Sequence, residues 1–230
     1  MSRKPRPTYR TPEPQEWLAK DYSLGKVADY KPYNFVDGEG VRCSVYFSGC
    51  LFACRGCYNA AVQNFHYGYD YTPQLQEEIL EDLSATYCQG LTLLGGEPFL
   101  NTNTALALAK ATRERFGGQK DIWAWSGYTF EELLKESDDK LELLHLCDVL
   151  VDGRFIQDLM DLTLTFRGSS NQRIIDVPKS LAAGEVVYWN EGKYLEEERS
   201  STSLLSYSDT DSLDQPNLIE VDLIRRSDFE

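Results

Sequence analysis

Four short apolar segments, residues 41–47, 91–94, 122–125 and 149–151, recur along the middle of the chain with helical signals between them. Their β-branched and aromatic content reads as strand. Between the first two, Thr72 can cap and Pro73 suits a first helical turn, while Leu75, Ile79 and Leu83 share one face, so the spacing predicts a helix over 73–87. A second helix is predicted over 104–116, rich in Ala and Leu and stopped by Gly117-Gly118. Thr129-Phe-Glu-Glu fits a capping box opening a third, and residues 173–177 and 186–189 read as later strands. Strands separated by helices pair in parallel through right-handed crossovers, which predicts an α/β fold. Roughly 150 residues fall short of the ~250 that a closed eight-stranded barrel takes, so an open, partial βα barrel is expected.

The residues just after each strand narrow the reading. Residues 50–57 come after the first, Gly95-Gly-Glu-Pro after the second, Ser126-Gly-Tyr after the third and Asp152-Gly-Arg after the fourth. All four lie at carboxyl ends of expected parallel strands, where such folds place their chemistry. Separate loops are therefore expected to converge on one site.

The chain has 230 residues and carries 23 Lys+Arg against 37 Asp+Glu, a net charge of −14. So acidic a surface repels phosphate backbones, and no nucleic-acid partner is expected. No run approaches the ~20 apolar residues of a membrane span, and the basic start Met1-Ser-Arg-Lys-Pro-Arg-Pro lacks the apolar core of a signal peptide. A cytoplasmic protein with no membrane partner is expected. Residues 1–30 read as an N-terminal arm, 31–190 as the core domain and 191–230 as a flexible, Ser-rich acidic tail. The tail holds eleven acidic and four basic residues, half the net charge, although residues 217–224 alternate in the manner of a short strand.

Only two histidines, His66 and His145, are present, which excludes a multi-histidine metal site, whereas there are six cysteines. Cys50, Cys54 and Cys57 crowd into eight residues with the spacing C-x3-C-x2-C. Zinc sites want four protein ligands, usually as two separated pairs, and here only Cys43 or His66 is at hand to complete one. Three thiolates in one tight loop suit a cubane [4Fe–4S] cluster with three irons capped by protein and the fourth left open. A structural zinc site is the alternative, and it leaves the other motifs unexplained.

The triad is the signature of the radical S-adenosylmethionine (SAM) superfamily, which this sequence resembles, and Gly95-Gly-Glu-Pro resembles the motif that holds the SAM amino group. Glycines there let backbone carbonyls approach closely, and Glu97 can receive a charge-assisted hydrogen bond. Within the superfamily, Cys54-Arg-Gly-Cys-Tyr-Asn is similar to the activating enzymes of anaerobic (class III) ribonucleotide reductase. So are Phe35-Val-Asp-Gly-Glu-Gly-Val-Arg, Trp125-Ser-Gly-Tyr-Thr-Phe-Glu-Glu-Leu, Asp148-Val-Leu-Val-Asp-Gly-Arg-Phe and Phe166-Arg-Gly-Ser-Ser-Asn-Gln-Arg. The resemblance spans residues 34–177 and implies a radical SAM-type partial barrel. It also implies a [4Fe–4S] cluster ligated by Cys50, Cys54 and Cys57, with SAM on the open iron. Gly56, Cys57 and Tyr58 would border the cluster and contact SAM, and Gly95, Gly96 and Glu97 would hold its methionine moiety. The implied partners are the large catalytic subunit of anaerobic ribonucleoside-triphosphate reductase, which would receive a glycyl radical, and an electron donor such as flavodoxin.

Other residues carry two readings. Arg167 could bind the SAM carboxylate or ribose, or form a salt bridge; Asn171, Gln172 and Asp152 are further candidate contacts. Trp123 and Trp125 share a strand face and are expected to pack, and His66 and His145 to be structural. Cys43, Cys88 and Cys147 sit in apolar segments and are expected to be buried, inert thiols. Two other functions fit parts of the pattern. One is radical SAM chemistry on another target; the other is a zinc-binding module whose acidic tail docks a basic partner.

Overall fold

A computed structural model describes residues 9–194. The four apolar segments form β2 (Val41–Phe47), β4 (Cys88–Gly95), β5 (Asp121–Trp125) and β6 (Val149–Asp152), paired in parallel in that order. Helix α2 (Pro73–Leu83) crosses from β2 to β4, α3 (Thr102–Phe116) from β4 to β5, and α4 (Phe130–Leu133) with α5 (Asp138–Leu146) from β5 to β6. The result is a mixed α/β fold on a seven-stranded sheet. Helices on the crossovers bury these strands, and β6 is buried at all four positions.

The edges are antiparallel. β1 (Lys26–Asn34) pairs with β2 and carries β3 (Tyr69–Asp70) outside it, while β7 (Arg173–Asp176) pairs with β6. β7 runs antiparallel because residues 153–172 contain only a 3-10 turn at Gln157–Leu159, not the helix that a parallel return needs. α6 (Val177–Ala183) closes the sequence of helices, capped by the Asp176 side chain.

Several boundaries differ from the sequence reading. The helix expected to reach residue 87 stops at Leu83, so that the chain can turn into β4 at Cys88. Residues 186–189 do not form a strand: Tyr188 makes one bridge to Ile175 and Trp189 opens a 3-10 turn. Part of the stretch read as an arm is packed into the body. Trp17 is fully buried, α1 (Ala19–Tyr22) comes just after it, and β1 runs through the boundary drawn at residue 30. The acidic stretch from 195 onward and the alternating residues 217–224 lie outside the described residues.

The main core fills one face of the sheet, where Val45, Leu91, Leu93, Ile122 and Leu150 meet Ile79, Leu83, Leu108 and Leu144. A smaller aromatic layer covers the other face near β5–β7. There Trp123 stacks on Trp125 at 5.7 Å and meets Phe166 and Trp189 edge-on, the packing role expected of this pair.

Candidate active site at the carboxyl ends of the parallel strands

The loop after β2 is shaped by positive backbone angles. Gly49 (φ 104°) donates its N–H to Val62 at 2.7 Å, and the ring of Phe65 occupies the space a Cβ on Gly49 would need. Ala53 (φ 51°) and Gly56 (φ 73°) turn the chain twice more, and Cys57 N–H closes onto the Cys54 carbonyl at 3.2 Å. Phe52, buried, anchors the loop edge-on between Trp17 (5.2 Å) and Tyr128 (4.9 Å). Cys50, Cys54 and Cys57 are thereby held partly exposed along one cleft. Burial, reinforced by Cys57, raises the Cys54 thiol to about 11, and burial with the nearby Glu97 carboxylate raises Cys50 as well. Binding of a metal centre therefore has to release protons from these thiols.

Opposite them, the turn after β4 rests directly on the cysteine loop. Gly96 N–H donates to Phe47 O at 2.8 Å and Glu97 N–H to Gly49 O at 2.9 Å. A Cβ on Gly95 would lie 2.7 Å from Tyr46 Cα, and one on Gly96 would strike the Gly49 carbonyl. Both glycines are required by this close approach of backbone to backbone. The Glu97 carboxylate is buried beneath. Its Oε1 accepts from Ser126 Oγ (2.9 Å) and Phe99 N–H (3.1 Å), and its Oε2 from Gly127 N–H (2.8 Å). Burial lifts its pKa to about 7 against the opposing pull of these donors. Oε2 carries a single hydrogen bond and retains acceptor capacity.

The remaining walls come from the loops after β5, β6 and the 153–172 segment: Trp125, Ser126, Gly127, Gly153, Phe155, Gly168 and Gln172. Tyr58 and Asn59 complete the lining, with Tyr58 fully exposed. All the cysteine-loop and Gly-Gly-Glu residues singled out in the sequence, except Gly56, line the cleft. Among the described residues no three His, Cys, Asp or Glu side chains converge on a single metal ion. A cubane cluster asks for something else, since each thiolate binds a different iron. Cys43, offered as a fourth zinc ligand, lies against Cys88 rather than in this loop, and His66 is exposed outside the cleft.

Comparison with known proteins adds a second line. A family model described as "4Fe-4S single cluster domain" matches residues 36–175. The anaerobic ribonucleoside-triphosphate reductase-activating protein of Pasteurella multocida is 43% identical over 148 residues, covering 63% of this chain and 93% of that protein. The protein of the same name from Escherichia coli K12 is 40% identical over 147 residues, 62% of this chain and 93% of its own. The one from Enterobacteria phage T4 is 39% identical over 145 residues, 62% and 88% respectively. The chain belongs to this activating-protein family.

In this family member, several candidates turn away from the cleft. Asp152 is buried and accepts from Phe130 N–H (2.8 Å) and the Arg173 guanidinium (2.5 and 3.0 Å), which ties β6 to α4 and β7. Arg167 lines a separate small pocket with Tyr188 and Tyr194 and donates to the Gln172 and Tyr194 carbonyls. Asn171 donates to the Arg154 carbonyl at 2.8 Å. Gln172 does reach the cleft, where its Oε1 accepts from Gly168 and Ser169 N–H and its Nε2 donates to Gly153 O. Cys147 is buried, as expected, and His145 sits on the surface of α5 with its ring against the Leu141 carbonyl.

Ser126, Gly127 and Arg154 are the residues for which the sequence offered a position without a role. Arg154 is buried over the Phe52 ring at 4.8 Å, with Nη1 on Glu132 at 2.5 Å. Its Nε and Nη2 have no hydrogen-bond partner among the described residues, and its charge is felt at Cys54. Orphaned cationic donors whose charge reaches Cys54 from behind the cleft lining fit a site built to hold an anionic group. That arrangement is compatible with a cluster and a carboxylate-bearing ligand.

Proposed function

We propose that the chain activates an anaerobic ribonucleotide reductase, using a [4Fe–4S] cluster and SAM. The observation that carries this reading is the meeting of the three-cysteine loop and the Gly-Gly-Glu turn in one cleft, in a member of the activating-protein family. Cys50, Cys54 and Cys57 would hold the cluster. Cluster and SAM together would supply one-electron reductive cleavage of SAM, and with it the power to take a hydrogen atom from a glycine Cα of the large reductase subunit.

The protein's own groups orient and shield that chemistry. The Gly95–Gly96 backbone fixes the cysteine loop to β4, so the cluster ligands and the methionine-binding turn keep one separation. Glu97, with its spare acceptor capacity on Oε2, would take the SAM ammonium. Arg154, with two unpartnered donors and its charge felt at Cys54, would favour an anionic group in the cysteine loop, while Arg167 is engaged elsewhere. Gly56 and Tyr58 would border the cluster beside Cys57 and contact SAM; Tyr58, fully exposed, would also be open to the incoming partner. Trp125 and Phe155 would exclude water from the radical's path. The sheet would be the open barrel of the radical SAM type. The setting would be the cytosol, with a flavodoxin-type protein as reductant. No helix among the described residues is long and apolar enough to cross a membrane.

The test is electron paramagnetic resonance. Anaerobically reconstituted protein, reduced and mixed with SAM and the cognate large subunit, should produce a glycyl doublet, and Cys54→Ala should produce none. Formation of 5′-deoxyadenosine without a doublet would leave the SAM chemistry standing and overturn the reductase as client.

A further inference from the structure

Cys43 and Cys88 take no part in the cleft. Cys43 sits on β2 and Cys88 opens β4, at the opposite end of that strand from the Gly-Gly-Glu turn. The parallel register sets Val41 beside Cys88 and Cys43 beside Leu91, so the two side chains meet across the ladder. Their sulfurs are 3.8 Å apart, in van der Waals contact and unbonded. A disulfide needs about 2.05 Å, so closure has to draw the sulfurs together, and because the pair is staggered by two residues along the ladder the backbone at the start of β4 has to move with them.

The surroundings distinguish the two sulfurs. Cys43 donates to the Pro32 carbonyl at 3.2 Å, and the Tyr30 hydroxyl, itself donating to Asp82 at 2.7 Å, lies 3.5 Å from its Sγ. Around Cys88 the Lys120 ammonium donates to the Cys88 carbonyl at 2.5 Å and to Ala85 O at 3.0 Å. The sulfur–sulfur contact with Cys43, in which either thiol can be the donor, and the Lys120 charge bring the Cys88 thiol down to about 7, while the neighbouring Cys88 and burial push Cys43 up. One sulfur is thus suited to attack and the other to resolve, the division of labour of a redox dithiol. Cys88 is buried, while its chain neighbours Tyr87 and Gln89 are exposed.

We propose that Cys43 and Cys88 are a peroxide-reactive pair that closes to an intrachain disulfide, a modification site separate from the cluster cysteines. The Cys88 thiolate attacks one peroxide oxygen, the O–O bond breaks, and a sulfenic acid forms while the departing hydroxide takes up the proton that the Cys88 thiol released, giving one water. Cys43 sulfur then attacks the Cys88 sulfur; the S–O bond breaks, the S–S bond forms, and the hydroxyl leaves with the Cys43 proton as a second water. Two thiols lose two electrons and hydrogen peroxide is reduced to two waters. The closed bond would staple β2 to β4 beneath the loop that carries Cys50.

The experiment treats the full chain, with and without its cluster, with hydrogen peroxide, blocks free thiols with N-ethylmaleimide in denaturant, and maps peptides by mass. The expected product is a Cys43–Cys88 peptide pair lighter by two hydrogens, restored to free thiols by dithiothreitol, in both preparations. Cys43→Ser should leave Cys88 as a sulfenic acid captured by dimedone, and Cys88→Ser should abolish the link. Recovery of both residues as free thiols from wild-type protein after excess peroxide would overturn the proposal. So would linkage of Cys88 to a cluster cysteine instead.

Discussion

At Gly96 a single hydrogen atom decides whether two motifs fit together. Any side chain there meets the Gly49 carbonyl, and the obstacle is backbone, which cannot swing aside. Gly96→Ala should cost about 3 kcal/mol, read from a denaturant midpoint, and lower the iron bound per chain on reconstitution. Glu97 makes a prediction with two opposite signs. Its folded pKa of about 7 lies above the ordinary carboxylate value, so its contribution to stability is full at low pH and lost as pH rises through 7. The SAM-free protein should therefore lose stability through this group between about pH 4.5 and 7 and level off above that. SAM affinity, which in the proposed mechanism needs the charged carboxylate, should rise over the same interval, approaching tenfold per unit below pH 7. Calorimetric titrations across that range test both, and Glu97→Gln should flatten them. The triad and the Gly-Gly-Glu turn were legible in the sequence because their spacing survives in one local loop each. The part of Arg154 was not, because residues 153–172 fold back irregularly and spacing does not say which cation is left with orphaned donors near Cys54.

At the scale of elements, one buried ion pair joins three parts of the chain. Lys140 on α5 donates to Glu136 (2.9 Å), the Tyr128 hydroxyl (3.0 Å) and the Trp17 carbonyl (2.7 Å), and neither charged side chain is more than marginally exposed. Removing one charge strands the other. Lys140→Met should cost about 3–5 kcal/mol, and the double variant Lys140→Met/Glu136→Leu should recover much of it, as a double-mutant cycle in urea would reveal. The parallel strands were readable because burial on both faces makes them continuous apolar runs. β1 was missed for the converse reason: as a near-edge strand it alternates, and its Lys, Asp and Pro residues disguise the pattern. α5 was missed because acidic residues and Lys140 interrupt its apolar face, and that lysine is inside.

For the whole molecule, the described part of the segment read as an arm contributes to the body. Trp17 packs against Phe52, which lies between Cys50 and Cys54 in the chain. Trp17→Ala should lower stability by about 3–5 kcal/mol and, by loosening Phe52, should also reduce cluster retention. Iron analysis after thermal challenge would measure the second effect. Aromatic content alone could not place this tryptophan, since its ring partner Phe52 lies far from it in sequence.

The contact of Gly96 with Gly49 carries a consequence for how such a protein can change over time. In the proposed function, cluster ligation and ligand recognition fall to loops some forty residues apart in sequence, and those loops are joined where neither can gain an atom. Drift in one is felt by the other, so the two halves of the chemistry are free to vary only as a unit. Diversity of clients must come from the rim, where Tyr58 and its exposed neighbours are under no such constraint.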